Sequence, residues 1–321
     1  MSFTTNTMDL SKSTNLIGQM HGNGGLKSRK SNKDFCDSFQ LFFFKYNIRM
    51  EIFMKSSVTI STVKSLKGAW IFQDDISICI PKAKKIGFDG VELFTASADE
   101  IDAKFLQKLL SDNQIVLSAV ATGAGKVLHN LTLTSPDKTV RAKAIEFIKR
   151  MIDFGAIFNA PAKIGSMQGN IGKNNREDAL AGLTECLNEL GRYARQRNVD
   201  LLFEPLSHLS TDVINTVADG IEIIKKAGED NIKLLADLFH MDIEEMDIAE
   251  SIKKAAGFIG YVDFVDSDRK PAGMGHIDLK SAVDALKSIG YDGFLSAEAS
   301  PWPDSQTAAE QTMKTFKLLC T

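Results

Sequence analysis

The sequence lacks the features that mark several classes of protein. Its net charge is only −3 at pH 7, whereas a protein that neutralises nucleic-acid phosphates needs a basic face. No uninterrupted apolar run reaches the length of a membrane-spanning helix. We therefore expect neither nucleic acid nor a membrane as the main partner. A homo-oligomer is among the forms that the sequence allows.

The chain is also poor in cysteine, and its cysteines show no paired or zinc-type spacing. The four are Cys36, Cys79, Cys186 and Cys320. Such isolated cysteines indicate reduced thiols rather than a disulfide framework. The apolar fraction of 44% and the charged fraction of 25% are ordinary for a globular protein. We expect a cytoplasmic protein.

The first fifty residues differ in composition from the rest. Residues 1 to about 34 are rich in Ser, Asn, Lys, Gly and Thr and have no apolar period, which predicts disorder. The aromatic stretch at 35–46 lies too far from the start for a signal peptide. We predict that residues 1–53 are a disordered or artefactual extension. The folded domain then spans 54–321, with Met54 as a candidate initiator.

From Ser56 onward, strands and helices alternate without a break in composition. The predicted strands lie at 58–63, 91–94, 115–120, 162–166, 201–203, 232–236, 259–265 and 294–297. Eight such units indicate a single-domain α/β fold, the (β/α)8 or TIM barrel, for which about 250 residues are typical. A doubly wound sheet is the alternative, but no G-x-G-x-x-G follows the first strand.

Polar side chains collect where the strands end, which is where such barrels carry their catalytic groups. The fifth to eighth strands end at or near Glu204, Asp237, Asp263 and Glu298. Four carboxylates on one rim would raise one another's pKa unless a cation lay among them. Oxygen donors suit Mn²⁺ or Mg²⁺ better than zinc. The sequence therefore predicts a divalent metal site, although each acid taken singly is more often a solvated loop residue.

The segment at 234–242 contributes two of these polar groups. An apolar run ends at Asp237, and His240 follows three residues later. Both side chains can bind a divalent cation. The alternative interpretation is an Asp that caps a helix and a histidine satisfied by its neighbours.

Four stretches carry a family resemblance. They are FEPL at 203–206, ADLFHM at 236–241, VDSDRKPAGMGHID at 265–278, and GYDGF at 290–294 with Ala297-Glu298. Together they resemble the xylose isomerase-like TIM-barrel family, which groups sugar isomerases and epimerases such as the ketose 3-epimerases and hydroxypyruvate isomerases. The resemblance extends over about 54–321.

The resemblance implies a metal site made of Glu204, Asp237 and Glu298, with Asp263 where the family has a histidine. Because Asp also ligates hard cations, Asp263 is carried over as the fourth ligand. A further departure is Ser210, which stands where the epimerases have an acid that helps to hold the substrate.

The resemblance further implies that His240 and Arg269 contact the substrate. Gln168 and His129 are additional candidate sugar contacts, although a histidine such as His129 is more often a packed loop residue. Glu204 and Glu298 would remove and return a proton next to a carbonyl, through an enediolate that the metal stabilises. The implied function is a metal-dependent isomerase or epimerase of sugars or sugar phosphates.

Other functions of the same scaffold stay open. One is a metal-dependent dehydratase or lyase that acts on an inosose or a keto acid. Another is a carbohydrate-binding barrel that has lost its metal because of Asp263. An abasic-site endonuclease of the related fold needs a histidine-rich cluster of three metals, and of the five histidines only His240 lies at a matching place.

Overall fold

The computed structural model of the protein describes residues 53–321. These residues form a closed barrel of parallel strands with helices between them, so the predicted (β/α)8 barrel is confirmed. The predicted extension at 1–53 falls outside the described residues, apart from Phe53. No helix within 53–321 is long and apolar enough to cross a bilayer.

Eight strands make the barrel, and a two-residue strand lies beside the first of them. In chain order they are β1 (Lys55–Ser61), the short β2 (Phe72–Gln73), β3 (Gly90–Phe94), β4 (Val116–Ala121), β5 (Ala162–Ile164), β6 (Leu201–Phe203), β7 (Ile232–Asp237), β8 (Ile259–Asp263) and β9 (Phe294–Ala297). Neighbours pair in parallel in the order β1-β3-β4-β5-β6-β7-β8-β9, and β1 pairs with β9 to close the ring. The register sets Asp237 opposite Asp263.

Within residues 53–321, ten helices connect and surround the strands. They are α1 (Ile76–Ile86), α2 (Ala103–Asn113), α3 (Ala124–His129), α4 (Lys138–Ala156), α5 (Arg176–Arg195), α6 (Val217–Ala227), α7 (Leu238–Glu244), α8 (Ile248–Lys254), α9 (Leu279–Ser288) and α10 (Ser305–Cys320). Short 3₁₀ turns at Ser166–Gln168 and Ser267–Arg269 follow β5 and β8.

Local chemistry explains where these helices begin. Nine of the ten helices within 53–321 start after a residue whose side chain accepts a backbone N–H of the first turn. These residues are Asp75, Asp102, Asp137, Asn175, Thr216, Asp237, Asp247, Asp278 and Asp304. Such caps satisfy donors that have no partner within the helix. The seven aspartates among them also complement the positive end of the helix dipole.

The main apolar core lies between the strands and the helices, and the barrel interior has a small cluster of its own. Leu202, Leu235 and Tyr261 belong to this second cluster. Residues two apart on a strand face the same side. Asp237 and Asp263, two residues beyond Leu235 and Tyr261, therefore point into the barrel, where both are buried.

The described cysteines are buried free thiols, namely Cys79, Cys186 and Cys320. Burial raises the pKa of Cys79 and Cys186 to about 11 and that of Cys320 to about 12. At pH 8 a thiol of pKa 11 is ionised in roughly one molecule in a thousand, and the thiolate is the reactive form.

We expect these three thiols to resist alkylation by iodoacetamide at pH 8 in the native protein and to react in 6 M guanidinium chloride. Peptide mapping by mass spectrometry measures each site separately. Rapid labelling of any of the three in the native protein would contradict their burial in this fold.

Candidate active site

Four carboxylates meet at the carboxyl ends of consecutive strands. Glu204 follows β6, Asp237 and Asp263 end β7 and β8, and Glu298 follows β9. Each offers an oxygen atom that lies within 4.8 Å of the oxygens of the other three. The structure thus brings together the four acids that the sequence singled out as a group, and their role as metal ligands stays a prediction.

The two carboxylate oxygens of Asp237 have different surroundings. Oδ1 accepts the backbone N–H groups of Phe239 at 2.8 Å and His240 at 3.4 Å, so it caps α7. Oδ2 is buried and has no hydrogen bond of good geometry within residues 53–321, although Arg269 Nη1 lies 2.7 Å away. The capping interpretation therefore holds for one oxygen, and the other faces the carboxylate cluster.

A buried lysine that the sequence interpretation missed lies inside the same cluster. Lys163 Nζ lies 2.6 Å from Glu92 Oε1, 3.3 Å from Asp263 Oδ2 and 3.3 Å from Glu298 Oε2. Its signal in the sequence is weak but present, because a charged residue in the middle of a short buried strand is uncommon unless it is paired. Glu92, a fully buried residue in the middle of β3, is its nearest partner.

The environment separates the proton affinities of the acids. Burial raises the pKa of Glu204 well above its ordinary value, and the charge of Glu298 adds to the effect. Burial also raises the pKa of Asp263. Burial opposes the charged form of Glu298 too, but the cations of Lys163 and Arg269 outweigh it and hold its pKa at about 2.

The same balance applies to the buried lysine. Burial alone would lower the pKa of Lys163, but the charges of Asp263, Glu298 and Glu92 outweigh burial and raise this pKa well above its ordinary value. Lys163 is therefore a permanent cation inside the barrel, with a side chain that is only 5% exposed.

His240 and Arg269 lie against the cluster, and their contact with a substrate stays a prediction. His240 Nε2 lies 3.9 Å from Glu204 Oε1 and 3.8 Å from Asp237 Oδ2, and 2.9 Å from Arg269 Nη2. The backbone N–H of Ser207 donates to His240 Nδ1 at 3.1 Å. A neutral imidazole has a single acceptor nitrogen. His240 can therefore accept a hydrogen bond from Arg269 Nη2 or from the Ser207 N–H, but not from both at once. Burial lowers the pKa of His240, which favours the neutral ring.

The loop that presents Arg269 is built around one buried carboxylate. Asp266 accepts the backbone N–H groups of Ser267 at 2.9 Å, Gly273 at 2.9 Å and Ile277 at 3.0 Å. Arg269 itself has a left-handed backbone, with φ of 56°. Such a conformation is costly outside glycine and persists where the surrounding structure enforces it.

The other two predicted sugar contacts lie elsewhere. Gln168 is fully buried; its Nε2 donates to the Glu204 carbonyl at 3.0 Å, and its Oε1 accepts the Ile214 N–H at 3.2 Å. These bonds hold the backbone next to Glu204. His129 is exposed at the end of α3, with its ring centre 6.1 Å from that of Phe147. Contact of either residue with a sugar stays a prediction.

The donor set fits a divalent cation. Five buried or nearly buried carboxyl groups share two cationic side chains, so with all five ionised the cluster would carry an excess of negative charge; the acids are Glu92, Glu204, Asp237, Asp263 and Glu298, and the cations are Lys163 and Arg269. Asp263 Oδ1 is buried without a hydrogen-bond partner among the described residues. Free carboxylate oxygens under mutual repulsion suit a hard cation.

Known proteins are similar to this chain in sequence. The sequence profile of the family described as xylose isomerase-like TIM barrel matches residues 80–319. An L-ribulose 3-epimerase from Mesorhizobium japonicum is 29% identical over 232 residues, which are 71% of this chain and 76% of that protein. A D-psicose 3-epimerase from Agrobacterium fabrum is 29% identical over 228 residues, or 68% and 77% of the two chains.

A solved structure shares the architecture. The D-allulose 3-epimerase from Methylomonas sp. in complex with D-allulose aligns with a TM-score of 0.70 and 20% identity, covering 83% of this chain and 97% of that one. At this identity the likeness is evidence for the fold alone. The sequence resemblance to the family is confirmed by the profile match.

Gly165 leaves the space that the Glu204 carboxylate fills, because a Cβ atom at Gly165 would overlap Glu204 Oε2. We expect Gly165→Ala to destabilise the protein by about 1–3 kcal/mol, the usual effect of overpacking, and to weaken Mn²⁺ binding. Urea unfolding and calorimetric titration measure the two effects.

Gly182→Ala is the matched control, because a Cβ atom at this position in α5 would meet no atom of the described residues within 4 Å. Replacing a helical glycine with alanine usually gains about 0.5–1 kcal/mol, so this variant should be slightly more stable than the wild type. If Gly165→Ala left both stability and Mn²⁺ binding unchanged, Gly165 would have no part in placing Glu204.

Proposed function

Because the chain belongs to the xylose isomerase-like TIM-barrel family, we propose that it is a sugar isomerase or epimerase that acts on a ketose with Mn²⁺ or Mg²⁺ as cofactor. The observation that carries the proposal is the convergence of Glu204, Asp237, Asp263 and Glu298 at one end of the barrel. The two relatives described above are named 3-epimerases of L-ribulose and D-psicose, and both sugars are ketoses.

The four carboxylates would hold the cation, and within residues 53–321 Asp263 Oδ1 and Asp237 Oδ2 are buried oxygens of this set with no hydrogen bond of their own. The bound cation supplies an electrophile that polarises the substrate carbonyl and stabilises negative charge as it develops. Oxygen-only coordination favours Mn²⁺ or Mg²⁺ over zinc.

Glu204 and Glu298 are the candidate acid–base pair. They follow β6 and β9, two strands that are separated by β7 and β8, so their carboxyl groups reach the cluster from different sides of the rim. One removes a proton from the carbon next to the carbonyl, and the other returns a proton to it. Return to the opposite face gives epimerisation, and return to the former carbonyl carbon gives isomerisation.

Arg269 and His240 would bind the substrate oxygens. Arg269 offers fixed donors from a guanidinium that stacks 4.6 Å from the centre of the Phe239 ring. Donors aimed at the position where an enediolate oxygen carries charge stabilise the transition state more than the ground state. The domain that carries this function is residues 54–321, and its three buried free thiols fit the cytoplasmic location expected from the sequence.

We expect Glu204→Gln and Glu298→Gln each to reduce proton exchange by about 10²- to 10⁴-fold, the usual contribution of a positioned acid or base. Deuterium incorporation from D₂O into L-ribulose, D-psicose and other ketoses, followed by NMR, measures this step. Glu222→Gln is the control, since Glu222 is a 71% exposed carboxylate on α6 that pairs with Lys226. If both variants exchanged deuterium at the wild-type rate, the assignment of the pair would be wrong.

We also expect treatment with EDTA to abolish exchange and added Mn²⁺ or Mg²⁺ to restore it. Calorimetric titration of the metal-free protein measures binding independently of turnover. Absence of binding at millimolar metal would support the carbohydrate-binding alternative. A product lighter than the substrate by one water molecule would support the dehydratase alternative.

A further inference from the structure

The position of Lys163 is fixed by the barrel itself. Lys163 lies in the middle of β5, and its carbonyl accepts both the N–H of Thr122 at 3.2 Å and the Oγ1 hydroxyl of Thr122 at 2.8 Å. Its side chain is 5% exposed, so the ammonium cannot turn out to solvent. An unpaired ammonium at such a site would be very unfavourable, which makes its three carboxylate neighbours a requirement of folding.

Two of those neighbours are also the proposed cation ligands. Asp263 Oδ2 lies 3.3 Å from Lys163 Nζ, while Oδ1 has no hydrogen-bond partner among residues 53–321, and Glu298 Oε2 lies 3.3 Å from the same ammonium. A divalent cation at the cluster and the ammonium of Lys163 would therefore share two carboxylates. Positive charges that share ligands repel each other, so each weakens the binding of the other.

Arg269 also contacts two of the proposed ligands, Asp237 at 2.7 Å and Glu298 at 3.5 Å, but it is placed differently. It belongs to a 3₁₀ turn outside the strands, and its side chain is 20% exposed. Lys163 lies within a strand, and its side chain is only 5% exposed. The two cations of the cluster thus differ, because Lys163 is enclosed by the barrel and Arg269 is partly open to solvent.

We propose that Lys163 is a permanent internal counter-ion of the cation site, which stabilises the barrel in the metal-free state and weakens the binding of the divalent cation. Lys163 is in this sense a positioning residue, since it acts through Asp263 and Glu298. The inference rests on the proposed function, because it takes these two carboxylates as cation ligands. The competing explanation is that Lys163 serves only as the ion-pair partner of Glu92.

The test compares Mn²⁺ binding in wild type, Glu92→Gln, Lys163→Met and the double variant Lys163→Met/Glu92→Gln. The double variant removes one charge of each sign and keeps the net charge of the cluster. Calorimetric titration of EDTA-treated protein gives the affinity, and thermal unfolding with and without Mn²⁺ gives the gain in Tm. Neither measurement needs a substrate.

We expect the double variant to bind Mn²⁺ at least ten times more tightly than the wild type and to gain more in Tm. Glu92→Gln keeps Lys163, so it should bind Mn²⁺ no more tightly than the wild type. Lys163→Met should be less stable than the wild type in EDTA and should regain most of the loss with Mn²⁺, because the divalent cation replaces the missing counter-ion.

The outcomes separate this inference from the proposed function. Equal or weaker binding by a folded double variant overturns the counter-ion role and leaves the cation site intact. If the double variant binds Mn²⁺ and the wild type does not, the counter-ion role of Lys163 is supported. The divalent cation then has no part in the wild-type mechanism. Absence of binding in every variant overturns both. A double variant that folds only with Mn²⁺ supports the role, and one that folds under neither condition overturns it.

Discussion

The repulsion among five carboxylates at one end of the barrel is the constraint on which the rest of the structure depends. They are Glu92, Glu204, Asp237, Asp263 and Glu298, with Lys163 and Arg269 as the only cationic side chains that touch them within residues 53–321. In a medium of low polarity such repulsion is far stronger than in water. A barrel can hold these groups only because the strands that carry them are locked by a continuous ring of hydrogen bonds and by the apolar core outside it.

Two of the carboxylates, and the loop of Arg269, are placed by features that have no chemical role of their own. The N–H groups at the start of α7 bind one oxygen of Asp237 and so direct the other to the cluster. Gly165 leaves room for the Glu204 carboxylate. Asp266 folds the loop that carries Arg269. Rigid supports of this kind explain how carboxylates that repel one another can still be held in a well-defined arrangement.

Membership of the xylose isomerase-like family and the acidic rim point to the same chemistry. Abstraction of a proton next to a carbonyl needs a base, an electrophile and donors for the resulting oxyanion, and the cluster provides candidates for each. In this chain one carboxylate of the rim, Asp263, lies against a buried lysine. The pair brings a permanent positive charge to the place where a divalent cation would act.

The sequence by itself determined the barrel and the four acids at its rim. The alternation of strands and helices specifies the barrel, and the position of each acid at a strand end specifies the set of four. Both features are local patterns in the sequence. The tertiary structure alone decided that Lys163 joins the cluster, since Lys163 and Asp263 are 100 residues apart. It also decided that Gln168 binds the backbone beside Glu204. Contacts across a closed barrel depend on which inward-facing side chains lie at the same height along the barrel axis. Local periodicity carries no information about that height.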